Sequence, residues 1–147
     1  MRIERLLLQV LCHATEDEEK VMKAVENVVG DENMFKMSIS SQQLKGYYSD
    51  PITMIKLELE DSETAIKIVK NILANISEYE RKILIDEGLE KGKHGGKLYI
   101  RLDKQAAYRG FLRLSDKDAI RIQVDIRGNS GRAAGLEDGQ VQFVAGL

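Results

Sequence analysis

Cysteine occurs once, tryptophan not at all, proline once and histidine twice in this 147-residue chain. One thiol forms no intrachain disulfide, so the fold rests on its apolar core and the chain reads as a cytoplasmic protein, where thiols stay reduced. A structural zinc site needs four N or S ligands, which this inventory does not supply, and no cofactor is expected. Long apolar runs are missing too. Leu6 to Cys12, the longest, is interrupted by Gln9 and falls far short of the roughly 20 residues of a membrane helix. Arg2 and Arg5 precede that run, but Cys12-His13-Ala14 is a poor A-x-A cleavage site, so a first buried strand is expected instead of a secretion signal. Net charge is nearly absent, −2 from 22 Lys and Arg against 24 Asp and Glu, while 43% of residues are hydrophobic. Together these exclude a disordered chain.

The small net charge conceals an uneven distribution. Residues 1–80 carry 9 basic and 15 acidic side chains, whereas residues 81–132 carry 13 basic and 7 acidic ones. A basic half beside an acidic one points toward an anionic partner such as nucleic acid.

The periodicities predict alternating strands and helices. Ile3 to His13 is apolar at nearly every position, as in a strand covered on both faces. Thr15 and Glu18 have the spacing of a capping box, and Val21, Ala24, Val25 and Val28 fall on one helical face that Gly30 closes. Met34 to Ser40 alternates. Ser41 to Pro51 is polar and reads as a turn region, with Tyr47 and Tyr48 as a candidate stacking pair. Ile52 to Leu59 reads as the second strand of a hairpin. A helix follows from Ser62 with the face Ala65, Ile66, Val69, Ile72, Leu73 and Ile76. Ser77 and Glu80 form a second capping box, from which a third helix is expected to run to about Lys91. Gly92 to Gly96 reads as a loop, Lys97 to Leu102 as a strand, Lys104 to Tyr108 as one helical turn and Phe111 to Leu114 as a short strand. In Ala119 to Arg127, Ile120, Ile122, Val124 and Ile126 alternate with Arg121, Gln123, Asp125 and Arg127. This order predicts an α+β domain over residues 1–127, with a largely antiparallel sheet, helices packed on one face and the other face free. Residues 128–147, with five glycines, read as a tail.

Catalytic constellations are thin. Cys12 and His13 are adjacent, so a strand points them to opposite faces. Asp103, Asp116, Asp118 and Asp125 would have to converge on a divalent ion to make a nuclease. Gly96-Lys97 lacks the Ser or Thr of a phosphate-binding P-loop and lies in helix-loop-strand order. Gly92-Lys93-His94-Gly95 has the literal form of the backbone-clamping loop of KH modules, which joins two helices. More informative is Lys97 to Arg127. Lys97, Tyr99, Arg101 and Asp103 alternate on one strand, Arg121, Gln123, Asp125 and Arg127 on another, with Lys104, Arg109 and Arg113 between them. If those strands are neighbours, their cations with Tyr99 and Tyr108 form a mixed cationic and aromatic surface. Such a surface suits RNA, whose phosphates need neutralising and whose unpaired bases stack on rings.

Three stretches carry a family resemblance: His13-Ala14-Thr15-Glu16-Asp17-Glu18-Glu19-Lys20-Val21, the turn from Gly46 to Asp50-Pro51-Ile52, and Leu98-Tyr99-Ile100-Arg101-Leu102-Asp103-Lys104-Gln105-Ala106-Ala107-Tyr108. Over residues 3–127 the chain resembles the archaeal RNA-binding domain proteins described as predicted exosome subunits, a family distantly similar to the large-subunit ribosomal protein that binds 5S ribosomal RNA. The resemblance implies a ribosomal-protein-like α+β fold and non-catalytic RNA binding in RNA processing or decay, with exosome proteins as partners. It points to Arg101, Lys104 and Gln105 as RNA contacts. Charge and position add Lys93, His94, Lys97, Tyr108, Arg109 and Arg121. A protein–protein adaptor, or a homodimer pairing through its exposed sheet face, is the alternative; it needs apolar residues where 121–127 alternates Arg, Gln and Asp.

Overall fold

A computed structural model describes residues 2–46 and 50–128. Six strands, β1 (Arg2–His13), β2 (Ser38–Lys45), β3 (Pro51–Leu59), β4 (Leu89–Gly92), β5 (Gly95–Leu102) and β6 (Ile120–Arg127), form one sheet in the order β2-β3-β1-β6-β5-β4. Every neighbouring pair is antiparallel. Helices α1 (Glu18–Val29) and α2 (Ser62–Asn75) are the long ones; α3 (Glu78–Ile83) and α4 (Lys104–Tyr108) are short. The expected α+β fold with an open antiparallel sheet is what forms.

Alternation in the strands decides which face the helices cover. Leu6, Leu8 and Val10 of β1, Leu57 and Leu59 of β3, Leu98 and Ile100 of β5 and Ile122 and Val124 of β6 are nearly inaccessible. Against them pack Val21, Ala24, Val25 and Val28 of α1 and Ile68, Val69, Ile72 and Leu73 of α2. Full burial of each such side chain contributes about 1.5–3 kcal/mol, so this single apolar layer fixes both the fold and the register. β1 therefore has one buried face, not two: Leu7, Gln9, Leu11 and His13 are only half-buried on the side the helices leave open.

Several boundaries differ from the periodicity argument. α1 starts at Asp17, whose carboxylate accepts from the Glu19 amide at 3.0 Å, and not at Thr15. The chain first turns with Glu16 N donating to the His13 carbonyl at 2.9 Å, which carries Thr15 past the cap position. Met34 lies in a 3₁₀ turn (Asp31–Lys36), and the polar run Ser38–Lys45 is itself a strand. Its composition fits an edge with no residue buried. The Ser77–Glu80 capping box forms as expected, but α3 ends at Ile83. A widened helical turn, Leu84–Gly88, then presses against β5, where a Cβ on Gly88 would stand 2.6 Å from the Tyr99 carbonyl oxygen, and β4 begins. Gly92 to Gly96 is no open loop. Lys93 and His94 form the two-residue turn of the β4–β5 hairpin. Gly95 has φ +143 and lies so close to β6 that a Cβ would strike the Ile126 carbonyl, so glycine is required there. Phe111 to Leu114 is reduced to a single bridge, Leu102 to Leu114. Tyr47, Tyr48 and residues 129–147 lie outside the described residues. Among the described residues no helix is long and apolar enough to cross a membrane.

Candidate nucleic-acid interface

The uncovered face of the sheet is set by the same registers. Successive rows across it read Lys97–Asp125–Arg5, Tyr99–Gln123–Leu7–Glu58 and Arg101–Arg121–Gln9–Lys56. Most of its charge is balanced. Arg5 Nε stands 3.3 Å from Asp125 and Lys56 Nζ 3.3 Å from Glu58, while Lys97 lies between Asp125 and Glu90 in register. Arg2 and Arg127 also face each other, and Glu4 pairs with one of them, 2.8 Å from Arg127 Nε.

Arg101 and Arg121 differ in having no acidic neighbour in register. They are direct cross-strand partners, which places their Cβ atoms about 4.5–5.5 Å apart on the same face. Both are exposed, and neither has an acidic partner among the described residues. Like charges directly opposite destabilise a sheet, so this pair is tolerated at a cost. With Tyr99, Gln123, Leu7 and Gln9 the two arginines line a shallow depression of about 200 Å³. Tyr99 is 37% exposed, and the Gln123 amide nitrogen donates to Asp125 at 2.9 Å, which orients its carbonyl oxygen. An anion between the guanidiniums would remove the repulsion, beside a ring for a base and an amide for a polar edge.

A larger hollow of about 530 Å³ lies on the other side of Tyr99 and Arg101, bordered by α3 and the Leu84–Gly88 turn. Glu80, Glu87 and Asp116 line it, so it repels phosphate. Burial acts to raise the Glu80 carboxyl, but bonds from the Leu114 and Ser77 amides outweigh it and hold the group below its ordinary value.

The remaining candidates do not gather around this pair. Lys104 is only 7% exposed, and its ammonium lies inside the molecule. It donates to the Leu11 carbonyl at 2.8 Å and to Glu16 at 2.9 Å, and stands 3.0 Å from Asp118. All three of its donors are thus engaged, tying the end of β1, the start of α1 and the loop before β6 together. Its ammonium is committed to these partners, while the residue borders a hollow of about 420 Å³ that Gln105, Tyr108 and Arg109 also line. Gln105, Tyr108 and Arg109 belong to α4, which packs on α1 in the helical layer, with the Asn27 amide donating to the Ala107 carbonyl at 2.9 Å. There Lys20 Nζ stands 5.9 Å from the centre of the Tyr108 ring. Lys93 and His94 are exposed at the hairpin tip. Asp103 caps α4 and binds Arg113 at 2.6 Å.

The acids that would make a nuclease do not converge. Asp125 pairs with Arg5, Asp103 with Arg113 and Asp118 with Lys104 and His13. Among the described residues the cluster with metal-ligand spacing is His13, Glu16 and Asp118. Lys104 Nζ already bridges those two carboxylates, supplying a cation from within the chain. Cys12 is buried, and that burial, followed by the nearby Glu16 carboxylate, pushes its thiol above the ordinary value and away from nucleophilic use.

Two members of the interface, Gln123 and Gln9, escape a search for basic and aromatic residues. Strand alternation is the signal that would find them, once β1 and β6 are known to be neighbours.

A family model described as RNA binding matches residues 5–126. An RNA-binding protein of Pyrococcus abyssi is 30% identical over 129 residues, covering 86% of this chain and 84% of that protein. An uncharacterised protein of Methanocaldococcus jannaschii is 33% identical over 120 residues, 80% of each chain. Among solved structures, a protein from Archaeoglobus fulgidus matches with TM-score 0.68 and 30% identity over 83% of this chain and 85% of its own. One from Methanothermobacter thermautotrophicus reaches 0.71 at 24% identity over 90% of each, a likeness of fold. With its model matched across nearly all the described residues, the chain belongs to this RNA-binding family, which has archaeal members.

Proposed function

We propose that the protein holds RNA on the open face of its sheet, at Arg101, Arg121, Tyr99 and Gln123, and does no chemistry on it. The uncompensated arginine pair carries this reading. A phosphate placed between the two guanidiniums turns a repulsion into two charge-assisted contacts, and Arg presents the planar fork that fits phosphate oxygens. Tyr99 offers a stacking surface for an unpaired base; Gln123 and Gln9 offer amides to base edges or 2′-hydroxyls. A flat sheet face suits single-stranded or looped RNA better than the narrow deep groove of an A-form helix.

Lys97, two rows away beside Asp125 and Glu90, and Lys93 and His94 at the hairpin tip would be reached by RNA running along β5, whereas Gln105, Tyr108 and Arg109 would be met only by RNA that wraps onto the helical layer. Lys104 belongs to the scaffold. The resemblance in the stretch from Leu98 to Tyr108 extends the reading to RNA processing or decay in the cytoplasm, with an exosome as partner. The same resemblance relates the open-faced sheet to the 5S RNA-binding ribosomal protein.

Fluorescence anisotropy with labelled single-stranded RNA at several salt concentrations tests the site. Each arginine lost from a phosphate should lower the slope of log K against log salt by about 0.7, so Arg101→Ala/Arg121→Ala should lose about 1.4. Gln105→Ala/Arg109→Ala should leave the affinity for a short oligomer nearly unchanged. Absence of binding by the wild type at about 50 mM salt, or an unaltered slope in the arginine double variant, overturns the proposal.

A further inference from the structure

The two outer strands of the sheet are protected unequally. β4 has four residues, Glu90 and Lys91 among them, and leads into the hairpin turn. Short length and charge are common ways of keeping an edge from pairing. β2 has neither. It runs for eight residues, Ser38 to Lys45, without proline, and its ladder with β3 is continuous through eight pairs with no bulge. Lys45, at its very end, is its single charged residue. Among the described residues nothing pairs with its outer backbone groups, which form a regular template.

We propose that β2 pairs antiparallel with β2 of a second copy of this chain, joining two six-stranded sheets across a two-fold axis at Ser41. A strand facing its own copy keeps the helical sides together only when a residue lies on the axis; axes at Ser41 and at Gln42 overlap the strand equally, and Ser41 leaves the charged Lys45 outside the overlap. Ser40 then faces the partner's Gln42, Ile39 the partner's Gln43 and Ser38 the partner's Leu44. The charges permit this self-pairing: Lys45 falls opposite Met37, so no like charges meet. Apolar surface lies at the same edge. Ile39 is 51% exposed, and Phe35, three residues before the strand, is 80% exposed. A perpendicular two-fold axis also leaves both open faces on one side. The two Arg101–Arg121 pairs would stand about 40 Å apart, counting about 4.8 Å per strand, so a long RNA could meet both. The pairing itself does not depend on RNA being the ligand.

Sedimentation equilibrium of the full chain, without RNA, tests the pairing. The wild type should pass from monomer to dimer across the micromolar range, as fits an edge interface of modest area. Ser41→Glu and Ser41→Lys place like charges opposite each other on the axis and should each weaken self-association about fivefold. Mixing the two should restore a heterodimer, which a merely misfolded variant would not do. Ser41→Thr, neutral and suited to a strand, should dimerise like the wild type. A wild type that stays monomeric at the highest soluble concentration overturns the proposal. So do charge variants that dimerise unchanged, or a mixture that associates no better than either alone.

Discussion

Replacing Arg121 by glutamine sets the two consequences of the arginine pair against each other. The substitution keeps most of the aliphatic stem that lies along the sheet and removes the charge facing Arg101. Like charges at directly opposite positions disfavour an antiparallel pair by about 0.2–1 kcal/mol relative to a neutral pair. Relief of that repulsion should therefore raise stability by about 0.5 kcal/mol. For a chain of this length that corresponds to about 1–3 °C in Tm. The gain should shrink as salt rises, because two exposed charges at this spacing are already partly screened at a Debye length of about 8 Å. RNA binding should move the opposite way, weakening with a slope lower by about 0.7. Thermal unfolding followed by circular dichroism at low and high salt, with RNA titration of the same sample, reads both. A variant less stable than the wild type at low salt would refute the reasoning, since the arginines would then not be opposing each other. A stability gain without loss of salt-dependent RNA binding would leave the repulsion real and refute its use as a phosphate site.

Lys104→Met should destabilise the fold by about 2 kcal/mol, because it strips Glu16 and Asp118 of their shared cation while those carboxylates keep some contact with water. Urea unfolding measures it, and the folded fraction should bind RNA like the wild type, which separates a scaffold lysine from a phosphate contact. Glu80, whose folded carboxyl lies below its ordinary value, contributes stability that is present above about pH 4.5 and lost as pH falls through the lowered folded value. The stability difference between wild type and Glu80→Gln should therefore be largest near neutrality and close as the pH drops below about 4, a trend that denaturant melts across pH would reveal or deny.

Sequence periodicity was most reliable where one face of an element is buried. Ile120, Ile122, Val124 and Ile126 alternate because every second residue enters the core, and the apolar set of α1 repeats because a single helical face does. It failed where burial is absent or where a neighbouring element imposes the conformation. Nothing in Ser38–Lys45 is buried, so the strand has no apolar alternation to announce it. The widened turn that follows α3 stops at Gly88, which lies close against the Tyr99 carbonyl, a tertiary contact with no local signature. Thr15 had the spacing of a cap but lost the position to Asp17 because of a turn two residues earlier.

The candidate site divides along the same line. That Arg101 and Arg121 point to the solvent side of their strands follows from alternation alone, but their opposition depends on β5 and β6 being neighbours in one particular register. A shift of that register by one residue would set Arg101 against Ile120 or Ile122, and the charge pair would vanish. Lys104 makes the converse point. Beside Arg101 and Asp103 it reads as part of a basic surface, yet one turn of helix carries it under the end of β1, where Leu11, Glu16 and Asp118 meet its ammonium. A cation's value for binding RNA is therefore decided by whether the fold has already given it an anion. Arg101 and Arg121 are left without one, which is why the proposed phosphate site is theirs and not that of the more densely charged stretch that follows β5.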